Sequence, residues 1–500
     1  MRTIPALSAL ASGVLVTLSL APFSLWPAAL LSAALLYFAL SKATAKQGFV
    51  LGWVFGLGLF GSGASWVYVS IHEFGYAGNA LALSLTIFFC AGLALCSAVT
   101  CWLYVALRNS NHQKISAMWL FATTMVAGEW LRSWLLTGFP WLYLGYSQTS
   151  GVLAGYAPLV GVYGISFILY ASGALISQSL LLTRWSKQYV LANVTSIIVF
   201  WSFAPLLATQ VWTTAASEPL KVSMVQANIS QHDKWRSEFL QSSLDLYRQM
   251  TENEWQSSTL VIWPEAALPI TRQRADFFIS DVGEKARSQQ STLLTGIPYR
   301  DPNNGKVYNS AIAIGNGQGT YHKHRLVPFG EYIPFAALIG PVAEFFALPL
   351  SSMAAGEREQ QPLLFDQWYT RPLICYEIVY PALAAQAAKT SDVLVTISND
   401  AWFGRSIGPL QHLQMAQMRA VETGRYVLRS TGSGVSAIIS PKGKIVGQTT
   451  QFERDILRGE FTAMQGQTPW VRSGHWLVPA ALLGLLTAFG TKRFFFSRKQ

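Results

Sequence analysis

Chemistry in this chain can be organised around Cys375. Of the four cysteines, Cys90, Cys96 and Cys101 fall in one apolar stretch, where small polarizable side chains are ordinary packing residues. Cys375 stands alone in the polar part of the sequence. Cysteines in an oxidising compartment tend to pair, so an odd one reads as a reactive thiol as readily as an inert buried one. It closes the run Arg371-Pro372-Leu373-Ile374 and precedes Tyr376-Glu377, where a buried strand leaves its sheet, and strand ends are where α/β proteins gather ligands and reacting groups. Glu265 has the same setting, between Leu260-Val261-Ile262-Trp263-Pro264 and Ala266-Ala267-Leu268-Pro269. A carboxylate emerging there is partly desolvated and suited to general-base work. Lys323, in Tyr321-His322-Lys323-His324-Arg325, offers an ammonium for an oxyanion or a thiolate, although a lone lysine is most often a solvated surface residue. A thiol, a base and a cation are the parts of covalent acyl chemistry through a thioester. His322 and His324 share a strand face but find no third ligand at a recognised spacing, so neither a metal nor a cofactor is expected.

These residues need a scaffold of alternating strands and helices. Apolar runs predict strands over Lys221–Ile229, Thr259–Trp263, Ser291–Pro298, Val307–Gly315, Arg371–Tyr376, Asp392–Ser398, Tyr426–Thr431 and Val435–Ser440. Amphipathic helices are expected near 235–254, 275–289 and 411–424. The result is an α/β domain over 216–470, a comfortable single-domain length.

The rest of the chain is of another kind. Overall the sequence is 51% hydrophobic and 12% charged, about half the usual charge of a soluble protein, which marks an integral membrane protein. Residues 212–475 carry 24 Lys+Arg and 23 Asp+Glu, so the net charge of +11 belongs almost entirely to the remainder, and nucleic acid is not an expected partner. A spanning helix needs roughly 20 apolar residues, and the uncharged stretches predict spans near 4–21, 24–41, 48–70, 80–107, 116–136, 157–182, 189–211 and 476–491. Arg2, Lys42, Lys46, Arg108, Lys114, Arg184, Lys187 and the basic tail from Lys492 fall on one side of these eight, with Arg132 the exception. That side is the cytoplasm, which places both termini there and the α/β domain outside. Residues 1–215 thus form a seven-helix membrane domain and 471–500 the eighth helix and tail. Arg2 before an apolar run resembles a signal peptide, but a second apolar span follows at once, so an uncleaved hairpin is expected. The GxGxxG at Gly56–Gly61 lies inside a span, where with Gly52 it reads as close helix packing rather than a dinucleotide loop. Glu129 and Arg132, at i, i+3 spacing, read equally as a mutually neutralising pair and as a functional site.

Taken together, Glu265 after Trp263-Pro264, Lys323 before His324-Arg325-Leu326-Val327-Pro328-Phe329-Gly330-Glu331 and Cys375 before Tyr376-Glu377 resemble the Glu-Lys-Cys triad of the nitrilase superfamily. Gln226-Ala227-Asn228-Ile229 with Lys234-Trp235, Gly330-Glu331-Tyr332-Ile333-Pro334, Ser398-Asn399-Asp400-Ala401-Trp402-Phe403-Gly404 and Thr137-Gly138-Phe139-Pro140-Trp141 are similar to the apolipoprotein N-acyltransferase family over essentially the whole chain. The resemblance implies an αββα sandwich in the periplasm of a Gram-negative inner membrane. It also implies a two-step transfer of an acyl chain from a phospholipid, typically phosphatidylethanolamine, through Cys375 to the α-amine of an S-diacylglyceryl apolipoprotein. It makes Glu265 the base, Lys323 the oxyanion partner, Glu331 a supporting carboxylate, and Tyr376 and Glu377 neighbours that shape the site. Trp235, Asn399 and Trp402 take the substrate side, in a chain expected to act as a monomer at the bilayer. The apolar run Ile333–Ala355 is expected to dip toward the lipid. Two other readings compete. A tethered amidase would hydrolyse a small soluble amide with the same three residues. A transporter or receptor would show hydropathy repeats or midplane polar groups, which are not seen.

Overall fold

The computed structural model describes residues 3–108, 114–181, 187–334, 353–473, 476, 478–485 and 487. The chain divides into two compact units, one of residues 1–210, 406–414 and 473–500, the other of residues 211–405 and 415–472.

The first unit is helical: α1 Thr3–Ser19, α2 Pro27–Leu40, α3 Ala45–Gly63, α4 Asn79–Leu107, α5 Lys114–Leu131, α6 Ala157–Leu181 and α7 Lys187–Ala208. Among the described residues three helices are long and apolar enough to cross a membrane, or four if α3 is counted with its continuation Val67–Phe74, from which it is bent by 61°. α1 and α2 are apolar but shorter. The expected helix 48–70 is therefore broken: apolar sequence runs on through Ala64–Trp66 while the axis does not. The helix expected over 116–136 stops at Leu131, beyond which Leu136 and Thr137 take positive φ. Small residues set the contacts. A β-carbon on Gly52 would lie 2.5 Å from the Ser97 carbonyl oxygen of α4, and one on Gly56 2.6 Å from Ala94 Cα. Of the expected eighth helix, residues 478–485 are described and helical, while 477, 486 and 488–491 lie outside the described residues.

The second unit holds β1 Leu220–Gln226, α8 Leu240–Thr251, β2 Leu260–Ile262, α9 Asp276–Ser288, β3 Thr292–Arg300, β4 Val307–Gly315, β5 Thr320–His322, β6 Leu373–Ile374, α10 Pro381–Ala388, β7 Leu394–Ser398, α11 Gly408–Thr423 (from Met415 onward), β8 Val427–Thr431, β9 Ala437–Ile439, β10 Ile445–Gln448 and β11 Asp455–Phe461. The order β-α-β-α-β-β-β occurs twice, and each pass makes one sheet, β1-β2-β3-β4-β5 with β11 added at the β1 edge, and β6-β7-β8-β9-β10. In both, the first three strands are parallel and the last two antiparallel. Val222, Met224, Ile262 and Leu294 of one sheet share a core with Ile374, Val395, Ile397 and Leu428 of the other. On the opposite face of the first sheet, Val225, Val261, Leu293 and Ile312 pack with Leu244 and Tyr247 of α8 and with Phe278, Ile279 and Val282 of α9. α10 and α11 are the crossovers of the second sheet's parallel strands, and right-handed crossovers place them on one face of it. With its inner face already used in the shared core, that face is the outer one, which gives layers in the order α, β, β, α.

Two expectations change here. Helix 235–254 is shorter, beginning at Leu240 after a one-turn helix Gln231–Lys234. The strand expected over Arg371–Tyr376 is only Leu373–Ile374, because Cys375 opens a 3₁₀ turn through Val379.

Candidate active site

In the second unit the polar residues of interest leave the carboxyl ends of parallel strands. Glu265 follows β2, Cys375 follows β6 and Asn399 follows β7, while Lys323 comes directly after β5. Cys375 and Ala266, beside Glu265, are both non-glycine residues with positive φ, at 52° and 47°. Such backbone costs about 1–3 kcal/mol and is kept only where surrounding contacts over-determine it.

Those contacts are visible. One Glu265 carboxylate oxygen accepts from Asn309 Nδ2 at 2.7 Å and from Lys323 Nζ at 3.4 Å; the other accepts from the Asn399 backbone N–H at 2.8 Å. Lys323, 1% exposed, also donates to Glu331, with its Nζ 2.9 Å from the nearer oxygen. Asn309 Nδ2 reaches Glu331 as well, at 2.8 Å, and the Val327 N–H donates to the second Glu331 oxygen at 2.8 Å. The two carboxylates thus share one ammonium and one amide. Glu377, fully buried, accepts from the Ile374 N–H on one oxygen, and from the His324 N–H, the Arg325 N–H and the Tyr321 hydroxyl on the other. It therefore ties the cysteine turn to the lysine segment.

The electrostatics follow from this burial. Desolvation alone would lower Lys323, but Glu331 and Glu265 beside it hold the ammonium above its ordinary range. Burial pushes the Cys375 thiol well up; Glu265 adds to that and Lys323 opposes it. Burial likewise raises the Glu377 carboxyl against its backbone donors. Lys234 is lowered to about 8 by burial, with Glu265 pulling the other way. Burial thus favours the protonated thiol, in the field of a carboxylate that can take a proton and a cation that can meet an oxyanion.

Of the residues singled out in the sequence, the fold brings Glu265, Lys323 and Glu331 into one hydrogen-bonded cluster, with Cys375 under the field of all three. Tyr376 is buried and packs edge-on against Tyr380. Asn399 joins the cluster through its backbone, while its side chain donates to Gln231 at 2.8 Å. Trp235 and Trp402 lie outside the buried cluster, 50% and 40% exposed. His322 Nδ1 meets Ser310 Oγ and His324 Nδ1 meets the Gly356 carbonyl. Residues 335–352 of the apolar run lie outside the described residues, but its return is stitched to the site: the N–H groups of Met353 and Gly356 donate to the carbonyls of Glu331 and Lys323. Asn309 and Lys234 were missed as site residues. An asparagine within a strand carries no local signal, whereas Lys234 sits in a motif already noted and would have needed its burial to be known.

In the first unit no direct ion pair joins Glu129 and Arg132 among the described residues, although Arg132 acts on Glu129 through its field. The Leu144 N–H and the Tyr170 hydroxyl donate to Glu129, and Arg132 donates to the Trp141 carbonyl at 2.9 Å while lying 5.2 Å from the Phe60 and Tyr143 ring centres. Both brace the non-helical stretch after α5.

Comparison with known proteins gives matching patterns in both units. A family model described as the apolipoprotein N-acyltransferase N-terminal domain matches residues 12–175, and one described as carbon-nitrogen hydrolase matches residues 221–468. An apolipoprotein N-acyltransferase of Pseudomonas paraeruginosa is 44% identical over 483 residues, 96% of this chain and 94% of the relative. That of Azotobacter vinelandii is 45% identical, covering 96% and 93%, and that of Coxiella burnetii 38% identical, covering 96% and 99%. Among solved structures, a CN-hydrolase superfamily protein from Xanthomonas campestris is similar at 17% identity and TM-score 0.38, covering 54% of this chain and 97% of that one. An amidase from Nesterenkonia is similar at 16% identity and TM-score 0.38, covering 53% and 98%.

Proposed function

The chain belongs to the apolipoprotein N-acyltransferase family, and from that premise we propose how its buried carboxylate, ammonium and thiol carry out the transfer. The protein is an acyltransferase of lipoprotein biosynthesis, with a lipid donor and a lipoprotein acceptor. In the proposed mechanism Glu265 takes the Cys375 proton as sulfur attacks the ester carbonyl of a phospholipid, phosphatidylethanolamine in the simplest case. Lys323 meets the oxyanion that forms. The carbon–oxygen bond breaks, Glu265 returns the proton to the lipid alcohol, and the acyl group stays on sulfur as a thioester. The α-amine of an S-diacylglyceryl cysteine then attacks the thioester carbonyl, Glu265 accepts its proton, the carbon–sulfur bond breaks, and Cys375 recovers the proton. The products are a lysophospholipid and an N-acylated lipoprotein.

The observation that carries this reading is the convergence of Glu265, Lys323 and Glu331 in one buried cluster acting on Cys375. Glu331 supports Lys323, Glu377 and Tyr376 hold the turn that presents sulfur, and Trp235, Asn399 and Trp402 serve the substrate side. Eight spans with both termini in the cytoplasm, residues 216–470 in the periplasm and a monomer at the bilayer complete the proposal, supported by the basic residues at the loops. Mass spectrometry of the detergent-purified protein mixed with phosphatidylethanolamine and no acceptor tests it. The expected result is a hydroxylamine-labile acyl adduct on the Cys375 peptide, absent in Cys375→Ala and discharged by a diacylglyceryl-cysteine peptide. Absence of an adduct together with turnover of a soluble amide would move the assignment to a tethered amidase.

A further inference from the structure

Lys234 is a buried cation that the mechanism above does not use. It ends the one-turn helix Gln231–Lys234, is 7% exposed, and its Nζ donates to the main-chain oxygen of Glu265 at 3.1 Å. A neutral donor would satisfy that carbonyl; a buried ammonium without a carboxylate partner is costly and calls for another reason. The charge count supplies one. Glu265 and Glu331 share the single ammonium of Lys323, Asp400 is taken by Arg429, and Glu377 is answered by backbone N–H groups and a hydroxyl. By formal charge Glu265, Glu331 and Lys323 alone carry one negative charge in excess, Glu377 adds a second that only neutral donors answer, and Lys234 is the further buried cation bonded into this cluster.

The contacts also close a ring. Lys234 holds the Glu265 carbonyl, the Glu265 carboxylate is held by the Asn399 N–H, the Asn399 side chain donates to Gln231, and Gln231 begins the turn that ends in Lys234. Trp235, half exposed, is the next residue. We propose that Lys234 is a positioning residue of the acyl-transfer site, a second buried cation that orients Glu265 and couples it to the segment bearing Trp235. This inference rests on the thioester reading of Cys375.

The test is the rate of Cys375 acyl-enzyme formation from phosphatidylethanolamine by the full-length protein in detergent, followed against pH for K234M, K234R and Q231L. The groups facing Glu265 across this range are Lys323, Glu331 and Cys375, with the neutral Asn309 and Asn399, and all are unchanged in these variants. K234M is expected to lose about 10- to 100-fold at neutral pH, within the scale of a misoriented general base, and its acidic limb moves to higher pH because the compensating charge is gone. K234R recovers most of the rate and the wild-type limb. Q231L cuts the ring but leaves the charge, so it slows the reaction with the limb unmoved. Should K234M fail to fold, K234Q keeps a donor to the carbonyl without the charge and should show the same displaced limb. A wild-type rate in K234M, a slow K234M with an unmoved limb, or a K234R no better than K234M would overturn the proposal. If the wild-type protein forms no adduct, it is the phospholipid reading that fails. The Lys234 role is then read from iodoacetamide alkylation of Cys375, whose pH limb should move up in K234M and stay in place in K234R.

Discussion

A thiol in the field of a carboxylate and an ammonium answers to both, and in Cys375 burial and Glu265 outweigh Lys323, which favours the protonated form. Because the pKa is raised, thiolate is scarce below the ordinary thiol range and accumulates only above it. Alkylation of Cys375 by iodoacetamide should therefore be slow at pH 7 and climb well into the alkaline range; a fast rate at neutral pH, flat thereafter, would contradict the geometry. Lys323→Met, which removes the opposing cation, should push that climb higher still. Glu377 makes a second prediction. Glu377→Gln replaces an acceptor by an NH₂ group within a set of four donors, leaving at least one buried N–H or O–H unmatched at a cost of about 1–3 kcal/mol. The expected outcome is a lower melting temperature and loss of acyl-enzyme even though Cys375, Glu265 and Lys323 are intact. Lys323 and Glu377 stood out only through the motifs around them, whereas Cys375 and Glu265 were legible in the sequence because each comes at the end of an expected buried strand. Asn309 was not, since its importance comes from reaching two carboxylates separated from it by 44 and 22 residues of chain.

Strand β3 fixes the height of Glu265 through a glycine. A β-carbon at Gly296 would stand 2.6 Å from the Ala266 nitrogen and 2.7 Å from Glu265 Cα, contacts with backbone that cannot swing away. Gly296→Ala should displace the Glu265 loop, and a shift on the order of 1 Å costs about 10²-fold in rate, measurable as slower acyl-enzyme formation. In the helical unit Gly52→Leu and Gly56→Leu should part α3 from α4 and reduce the amount of folded protein recovered in detergent, whereas the same change at Gly61, with open space where its β-carbon would be, should be tolerated. The spacing of these glycines was readable, as were most strands. The break after α3 was not, because apolar side chains continue across it and hydropathy records composition, not axis direction. Nor was the turn at Cys375: Ile374 runs on into Tyr376, Ile378 and Val379 with the apolar density of a strand, and a left-handed residue that is not glycine leaves no trace in composition.

The separation of charge between the parts of the chain made its division readable before any coordinates, since a net of +1 over residues 212–475 leaves nearly all the basic excess to the apolar remainder. An alkaline phosphatase reporter, active only when exported, is expected to be silent when fused after Arg108 or Lys187 and active when fused after Gln210; activity after Arg108 would reverse the proposed orientation. The second unit also shows how it is joined to the rest of its chain. Thr213–Ala215, just after it begins, pairs antiparallel with Met464–Gly466, just before it ends, and Arg425 binds the Gly466 carbonyl while Thr213 binds that of Gly424. Both strands of this ribbon therefore leave the unit side by side. A pull applied at Trp212 and Gln467 would be taken up by the ribbon as a zipper, one pair at a time from Thr213 and Gly466 inward.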